Sequence, residues 1–127
     1  MNLPPGPPLL DESQLRQLLD LDEGKSSLLR EMASLFKAET PRRLQAIREG
    51  IEAGSAYQVM EAAHALKGAA GLMGAQLAFA LARDLEIKTK TEQLPYPEIS
   101  MEAWSKLSQA VVDAQAAIDI FLSKTTA

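Results

Sequence analysis

The chain of 127 residues has no cysteine and a single histidine, and aromatic residues make up 5 % of it. Without cysteine there is no disulfide framework and no thiolate metal site, so a reducing compartment is the natural setting and zinc fingers or ribbons are excluded. One histidine also excludes sites that need several imidazoles, such as His-ligated catalytic zinc. No G-x-S-x-G elbow or strand-rich scaffold is present to hold a Ser-His-Asp triad, although serine, histidine and aspartate all occur. Basic residues are outnumbered, giving a net charge of -4. That balance offers no long-range attraction to a polyanion, and nucleic acid is not an expected partner. Apolar runs long enough to span a bilayer are missing, and the start MNLPPGPPLL does not read as a signal peptide. A soluble, cytoplasmic, single-domain protein is expected.

What is present is helical periodicity. Met1 to Leu10 holds four of the seven prolines and reads as an extended tail, so the domain is expected to run from Asp11 to Thr125. Asp11 and Gln14 suggest a capping box opening a short helix to about Asp22, with Leu15, Leu18 and Leu19 on its apolar side. From Lys25 to Ala53, Leu28, Met32, Leu35, Phe36, Leu44, Ile47 and Ile51 recur at helical spacing, and Gly54 stops the pattern. Pro41 either starts a new helix capped by Thr40 or kinks one long helix. The shared register of Phe36, Thr40, Leu44 and Ile47 favours the single helix.

Ser55 can cap a third helix reaching about Met73. Gln76 to about Lys90, with Leu77, Leu81 and Leu85, makes a fourth. Thr91 to Pro97 reads as a loop, and Trp104, Leu107, Val111, Ile118 and Phe121 mark a final long helix. The fold class expected is all-α: an antiparallel, up-down four-helix bundle with a short N-terminal lid helix.

The third helix carries the chemistry. At roughly 100° per residue, Val59, Ala62, Ala63, Leu66, Ala69, Ala70 and Met73 fall within about 60° of one direction, which must be the core. His64 then points roughly 160° away from it, with Lys67 one turn along and Gly68 and Gly71 beside it. Each exposed helical glycine costs about 1 kcal/mol relative to alanine. Either the glycines open a hollow through which a partner reaches the imidazole, or Gly68, Gly71 and Gly74 form a seam for close helix packing. His64 itself is either a displayed nucleophile or a surface residue of no consequence. A hairpin turning at Ala75 sets His64 opposite Glu86, each eleven positions away.

The run His64-Ala65-Leu66-Lys67-Gly68-Ala69-Ala70-Gly71-Leu72-Met73-Gly74-Ala75, with Leu77, Leu81, Leu85 and Glu86 after it, resembles the histidine-containing phosphotransfer domain of two-component phosphorelays. Glu39-Thr40-Pro41-Arg42-Arg43-Leu44 is similar to that family's second helix. The resemblance implies that His64 accepts a phosphoryl group from the aspartyl phosphate of a receiver domain and passes it to another. It implies further that Lys67 helps neutralise the group and Gly68 leaves room for the partner. Glu86 stands where the family commonly has glutamine or another polar residue that bonds the histidine. A carboxylate there would repel a phosphoryl group while favouring a protonated ring.

Imidazole suits such a role because its ordinary pKa of about 6.5 leaves a neutral, nucleophilic fraction at neutral pH. With Nδ1–H held by an acceptor, Nε2 is free to attack. No P-loop or kinase glycine-rich sequence occurs, so neither ATP binding nor autophosphorylation is expected. No cofactor is expected either, Mg²⁺ coming with the receiver domain. Expected partners are response-regulator receiver domains, including one carried by a hybrid sensor histidine kinase, docking transiently on a monomer. Met60, Glu61, Gly68, Gly71 and Leu72 form the expected docking surface. A helical adaptor with an incidental histidine would show the same hydropathy.

Overall fold

In a computed structural model, residues 6–90 and 97–125 are described. Five helices follow one another: α1 (Glu12–Leu21), α2 (Ser27–Ala53), α3 (Ala56–Leu72), α4 (Gln76–Thr89) and α5 (Pro97–Ser123). Helices α2 to α5 close a four-membered ring, with α2 packed on α3 and α5, and α4 on α3 and α5. The short α1 lies against α2 and buries Leu15 and Leu18 in the common core. The all-helical bundle with a short leading helix is therefore the architecture expected from the periodicity. Among the described residues, no helix is long and apolar enough to cross a membrane.

The boundaries follow local chemistry. Asp11 caps α1, but its carboxylate accepts from the Ser13 backbone N–H at 3.0 Å, so the expected capping box with Gln14 does not close. Its other oxygen takes the Gln76 amide at 3.2 Å, and its backbone N–H donates to the Gly74 carbonyl at 2.7 Å. The cap is thus turned toward the α3–α4 corner. Leu9 and Leu10 already pack half-buried against the core, so contact begins before the expected domain boundary at Asp11. Gly6, Pro7 and Pro8 of the expected tail are exposed; its residues 1–5 lie outside the described residues, as does most of the expected Thr91 to Pro97 loop. Pro97 belongs to α5 as its first residue, where a missing N–H is harmless.

Helix α2 runs unbroken through Pro41, with Phe36, Thr40, Leu44 and Ile47 all buried, as their register required. The buried Thr40 hydroxyl donates to the Phe36 carbonyl at 2.8 Å and accepts from the Gln115 amide at 2.9 Å. Trp104 donates its indole N–H to the Leu44 carbonyl at 2.7 Å, a second tie between α5 and α2 on either side of the proline. The first half of the α2 stripe is displaced by one residue from the expected one. Leu29 and Ala33 face the core, Leu28 and Met32 are half-buried, and Leu35 is 57 % exposed. In α4 the core face is Ala78, Ala82, Leu85 and Thr89, with Leu77 and Leu81 only half-buried. Small residues on that face let α3 and α4 approach closely.

Two glycines end their helices in the left-handed region, Gly54 at φ +69 and Gly74 at φ +68. Only Gly74 is also crowded: a Cβ there would stand 2.7 Å from the Asp11 carbonyl oxygen, whereas nothing approaches within 4 Å at Gly54. Gly74→Ala should therefore lower the free energy of unfolding by about 2 kcal/mol or more, and Gly54→Ala by about 1 kcal/mol. Urea denaturation of the two variants checks the order.

Candidate functional site

Helix α3 starts at Ser55, whose hydroxyl accepts from the Gln58 N–H at 3.2 Å. Val59, Ala62, Ala63, Leu66, Ala70 and Met73 are buried and Ala69 is half-buried, so the core face is the one the helical wheel gives. With that face fixed, His64 must leave the bundle, and its side chain is 69 % exposed.

Glu86 arrives from α4 at the same level, and its side chain is only 5 % exposed. A carboxylate in that position needs a partner for each oxygen. It has both: His64 Nδ1 lies 2.5 Å from Oε2 and Lys67 Nζ lies 2.7 Å from Oε1. The Lys67 hydrogen bond is the largest influence holding the Glu86 carboxyl below its ordinary value of 4.5. Burial works against it, and the His64 bond and the two charges add to the lowering. An ionised carboxylate has no proton to donate, so in the neutral ring the hydrogen of the short contact belongs on Nδ1 and the lone pair on Nε2.

The glycines that follow His64 differ in their surroundings. Gly68 is exposed, and a Cβ placed there would meet nothing within 4 Å. Gly71 is half-buried beneath Phe79 of α4, whose ring would lie 3.3 Å from an added Cβ. Gly74 is fixed by its turn. The two uses left open for the glycines are therefore both present, at different positions: Gly68 is open surface, while Gly71 and Gly74 serve packing.

Of the other expected docking residues, Met60 is half-buried, Glu61 is exposed, and Leu72 is 51 % exposed. Leu72 borders a shallow apolar groove with Met32, Leu35, Phe36, Glu39, Ala69 and Met73. Leu35, expected in the core, is thus a surface residue bordering this groove. Its signal was the doublets Leu28-Leu29 and Leu35-Phe36, which trace two neighbouring stripes on α2 rather than one. Tyr57, also overlooked, is exposed two turns before His64, and a hydrogen bond from its hydroxyl to Glu61, together with that carboxylate's charge, raises the phenol's pKa. Among the described residues, no group of three or more His, Asp or Glu side chains could hold a metal ion.

Two outcomes follow from this geometry. Because the Glu86 carboxyl is lowered on folding, its pairing stabilises the protein fully above the ordinary carboxylate range and is lost as pH falls through the depressed value. The stability difference between wild type and Glu86→Gln, measured by urea denaturation, should shrink steadily as the solution is taken from neutral into that acid range. At Gly68 the open space predicts that alanine stabilises the helix by up to about 1 kcal/mol, measured the same way.

Over residues 31–117 the sequence matches the family model for the Hpt domain. No curated protein matches it. The structure is similar to that of histidine-containing phosphotransfer protein B from Pseudomonas aeruginosa PAO1, with a TM-score of 0.78 and 19 % identity over 95 % of this chain and 100 % of that one. It is also similar to the HPT domain of a sensor hybrid histidine kinase from Shewanella, with a TM-score of 0.66 and 20 % identity over 88 % of this chain and 94 % of the other. With the family model spanning more than half its length, the chain belongs to the Hpt family, the histidine phosphotransfer domains of phosphorelay signalling.

Proposed function

We propose that His64 is the phosphoryl carrier, taking the group on Nε2 from the aspartyl phosphate of a receiver domain and handing it to the aspartate of another. The observation that carries this reading is the pairing of an exposed ring with a buried, ionised acceptor: His64 is 69 % exposed while Glu86 is 5 % exposed. The acceptor fixes the tautomer, and exposure makes Nε2 reachable. Gly68 supports it, because the surface beside the ring carries no side chain that a closing cleft would have to displace.

Lys67 is assigned a double part. It neutralises Glu86 in the resting protein, and its side chain, 24 % exposed, stands one turn from the ring where phosphoryl charge accumulates. Partner contact is assigned to Met60, Glu61, Gly68 and Leu72, extended by Leu35 and the groove beside it. A small surface of this kind suits brief docking, in which a few apolar anchors matter more than area.

We further assign the chain the role of a carrier without ATP binding or autokinase activity, acting as a monomer in the cytoplasm and not on nucleic acid. No cofactor of its own is required, since Mg²⁺ comes with the receiver. Receiver domains, whether free or part of a hybrid sensor histidine kinase, are the partners this reading requires.

Incubation with a phosphorylated receiver domain should place an acid-labile, base-stable label on the wild-type chain and none on His64→Gln. Label remaining on the variant would contradict the assignment. Gly68→Leu, whose side chain would lean back from one turn away over the open surface beside the ring, should slow the transfer at least about tenfold by blocking close approach.

A further inference from the structure

The residue facing His64 is a carboxylate, and this has a consequence for the ring after it is phosphorylated. In the transfer step the Nε2 lone pair forms the P–N bond. The P–O bond to the partner's aspartyl carboxyl breaks, and its electron pair leaves on the carboxylate oxygen. If Nδ1–H stays in place, the ring is now a cation. In the onward step an acceptor carboxylate oxygen attacks phosphorus, the P–N electron pair returns to Nε2, and neutral imidazole leaves. If Nδ1–H is lost to water in between, the leaving group would be an imidazolate, and a proton would have to be recovered first.

We propose that Glu86 keeps the Nδ1 proton on the His64 ring throughout the phosphorylated stage, so that the phosphoryl group arrives and leaves without proton exchange with water. The proposal rests on His64 being the acceptor and adds a role that an amide at position 86 could not fill. An amide oxygen accepts the same hydrogen bond but carries no charge to hold a cationic ring. The carboxylate of a Ser-His-Asp triad stabilises its imidazolium by this physics.

Three observations carry it. Glu86 Oε2 lies 2.5 Å from Nδ1, on the opposite side of the ring from Nε2, so the carboxylate meets the proton and not the phosphoryl oxygens. The carboxylate is 5 % exposed, so water screens its attraction for the ring poorly. Its second oxygen is taken by Lys67 Nζ at 2.7 Å, which keeps it ionised while drawing off part of its charge.

The charged groups that act on the carboxylate are Lys67 and His64, both from α3. Elsewhere on α3, Glu61 lies one turn before His64 and is engaged by the Tyr57 hydroxyl. On α4, Arg83 is stacked over Phe79 at 5.9 Å. From α2, Glu39 borders the groove at Leu72. Helix α5 packs on α4, and there Lys106 pairs with Glu102 of its own helix.

The test uses the whole ¹⁵N-labelled chain phosphorylated with potassium phosphoramidate, a small phosphoryl donor that needs no receiver domain. Ring nitrogen shifts, followed by NMR from neutral to alkaline pH, report the loss of the Nδ1 proton. In phosphorylated wild type its midpoint should lie at least about one pH unit above that in phosphorylated Glu86→Gln. Lys67→Gln should move the midpoint upward, because the carboxylate then acts on the ring alone. Coincident midpoints in wild type and Glu86→Gln would overturn the proposal, as would a midpoint in Lys67→Gln that is unchanged or lower. Should Glu86→Gln not fold, Glu86→Asp, which keeps the charge but draws it back from Nδ1, takes its place: a midpoint below that of wild type is expected, and a coincident one overturns the proposal. Failure of His64 as the relay site shows separately, as an absence of transfer from a phosphorylated receiver.

Discussion

A carboxylate withdrawn from water has to find donors close at hand, and the requirement at Glu86 organises this domain. The residue sits at the α3–α4 interface with one oxygen on the ring of His64 and the other on the ammonium of Lys67. Removing either donor would leave a charge in a poorly solvated place. The pair of contacts also fixes which ring nitrogen is protonated, so the same interaction that satisfies an interface charge determines which nitrogen meets the solvent. Stability and chemistry are tied to one side chain.

The rest of the fold holds these three residues at one level. Alanines and glycines on the facing sides of α3 and α4 allow close approach, with Ala63, Ala70, Ala78 and Ala82 buried and Gly71 under the Phe79 ring. The tight Met73–Ala75 corner, clasped by Asp11 through a 2.7 Å backbone bond to Gly74, sets the register between the two helices. The N-cap of α1 thus ties the leading helix to the α3–α4 corner. On the other flank, Trp104 and Gln115 of α5 fasten α2 around Pro41, and α2 supplies the neighbouring groove.

Much of this was legible in the residues alone. One apolar face on α3 leaves a single direction for His64, and a hairpin counted from Ala75 brings Glu86 opposite, because helical rise is the same on both sides of a tight turn. The ion pairs with Lys67 and His64 were harder to read, since an ordinary solvated face has the same composition. Three glycines three residues apart look alike in sequence. What separates Gly68 from Gly71 and Gly74 is the position of Phe79 and Asp11, which are remote in the chain. The α2 stripe was misread for a related reason. Adjacent apolar residues such as Leu35 and Phe36 satisfy the period equally, and only the packing of α3 and α5 decides which of them is buried.

The carboxylate at position 86 also acts on the unphosphorylated ring. It holds the ring in one tautomer before any partner arrives, so the orientation of the nucleophile does not have to be found at docking. The central claim is that Nδ1 carries the hydrogen of the neutral ring and Nε2 is bare. Long-range ¹H–¹⁵N correlation of the unphosphorylated, resting chain at a pH where His64 is neutral measures this directly. The account predicts a protonated Nδ1 bonded to Glu86 with a pyridine-type Nε2; a ring carrying its hydrogen on Nε2 would contradict it.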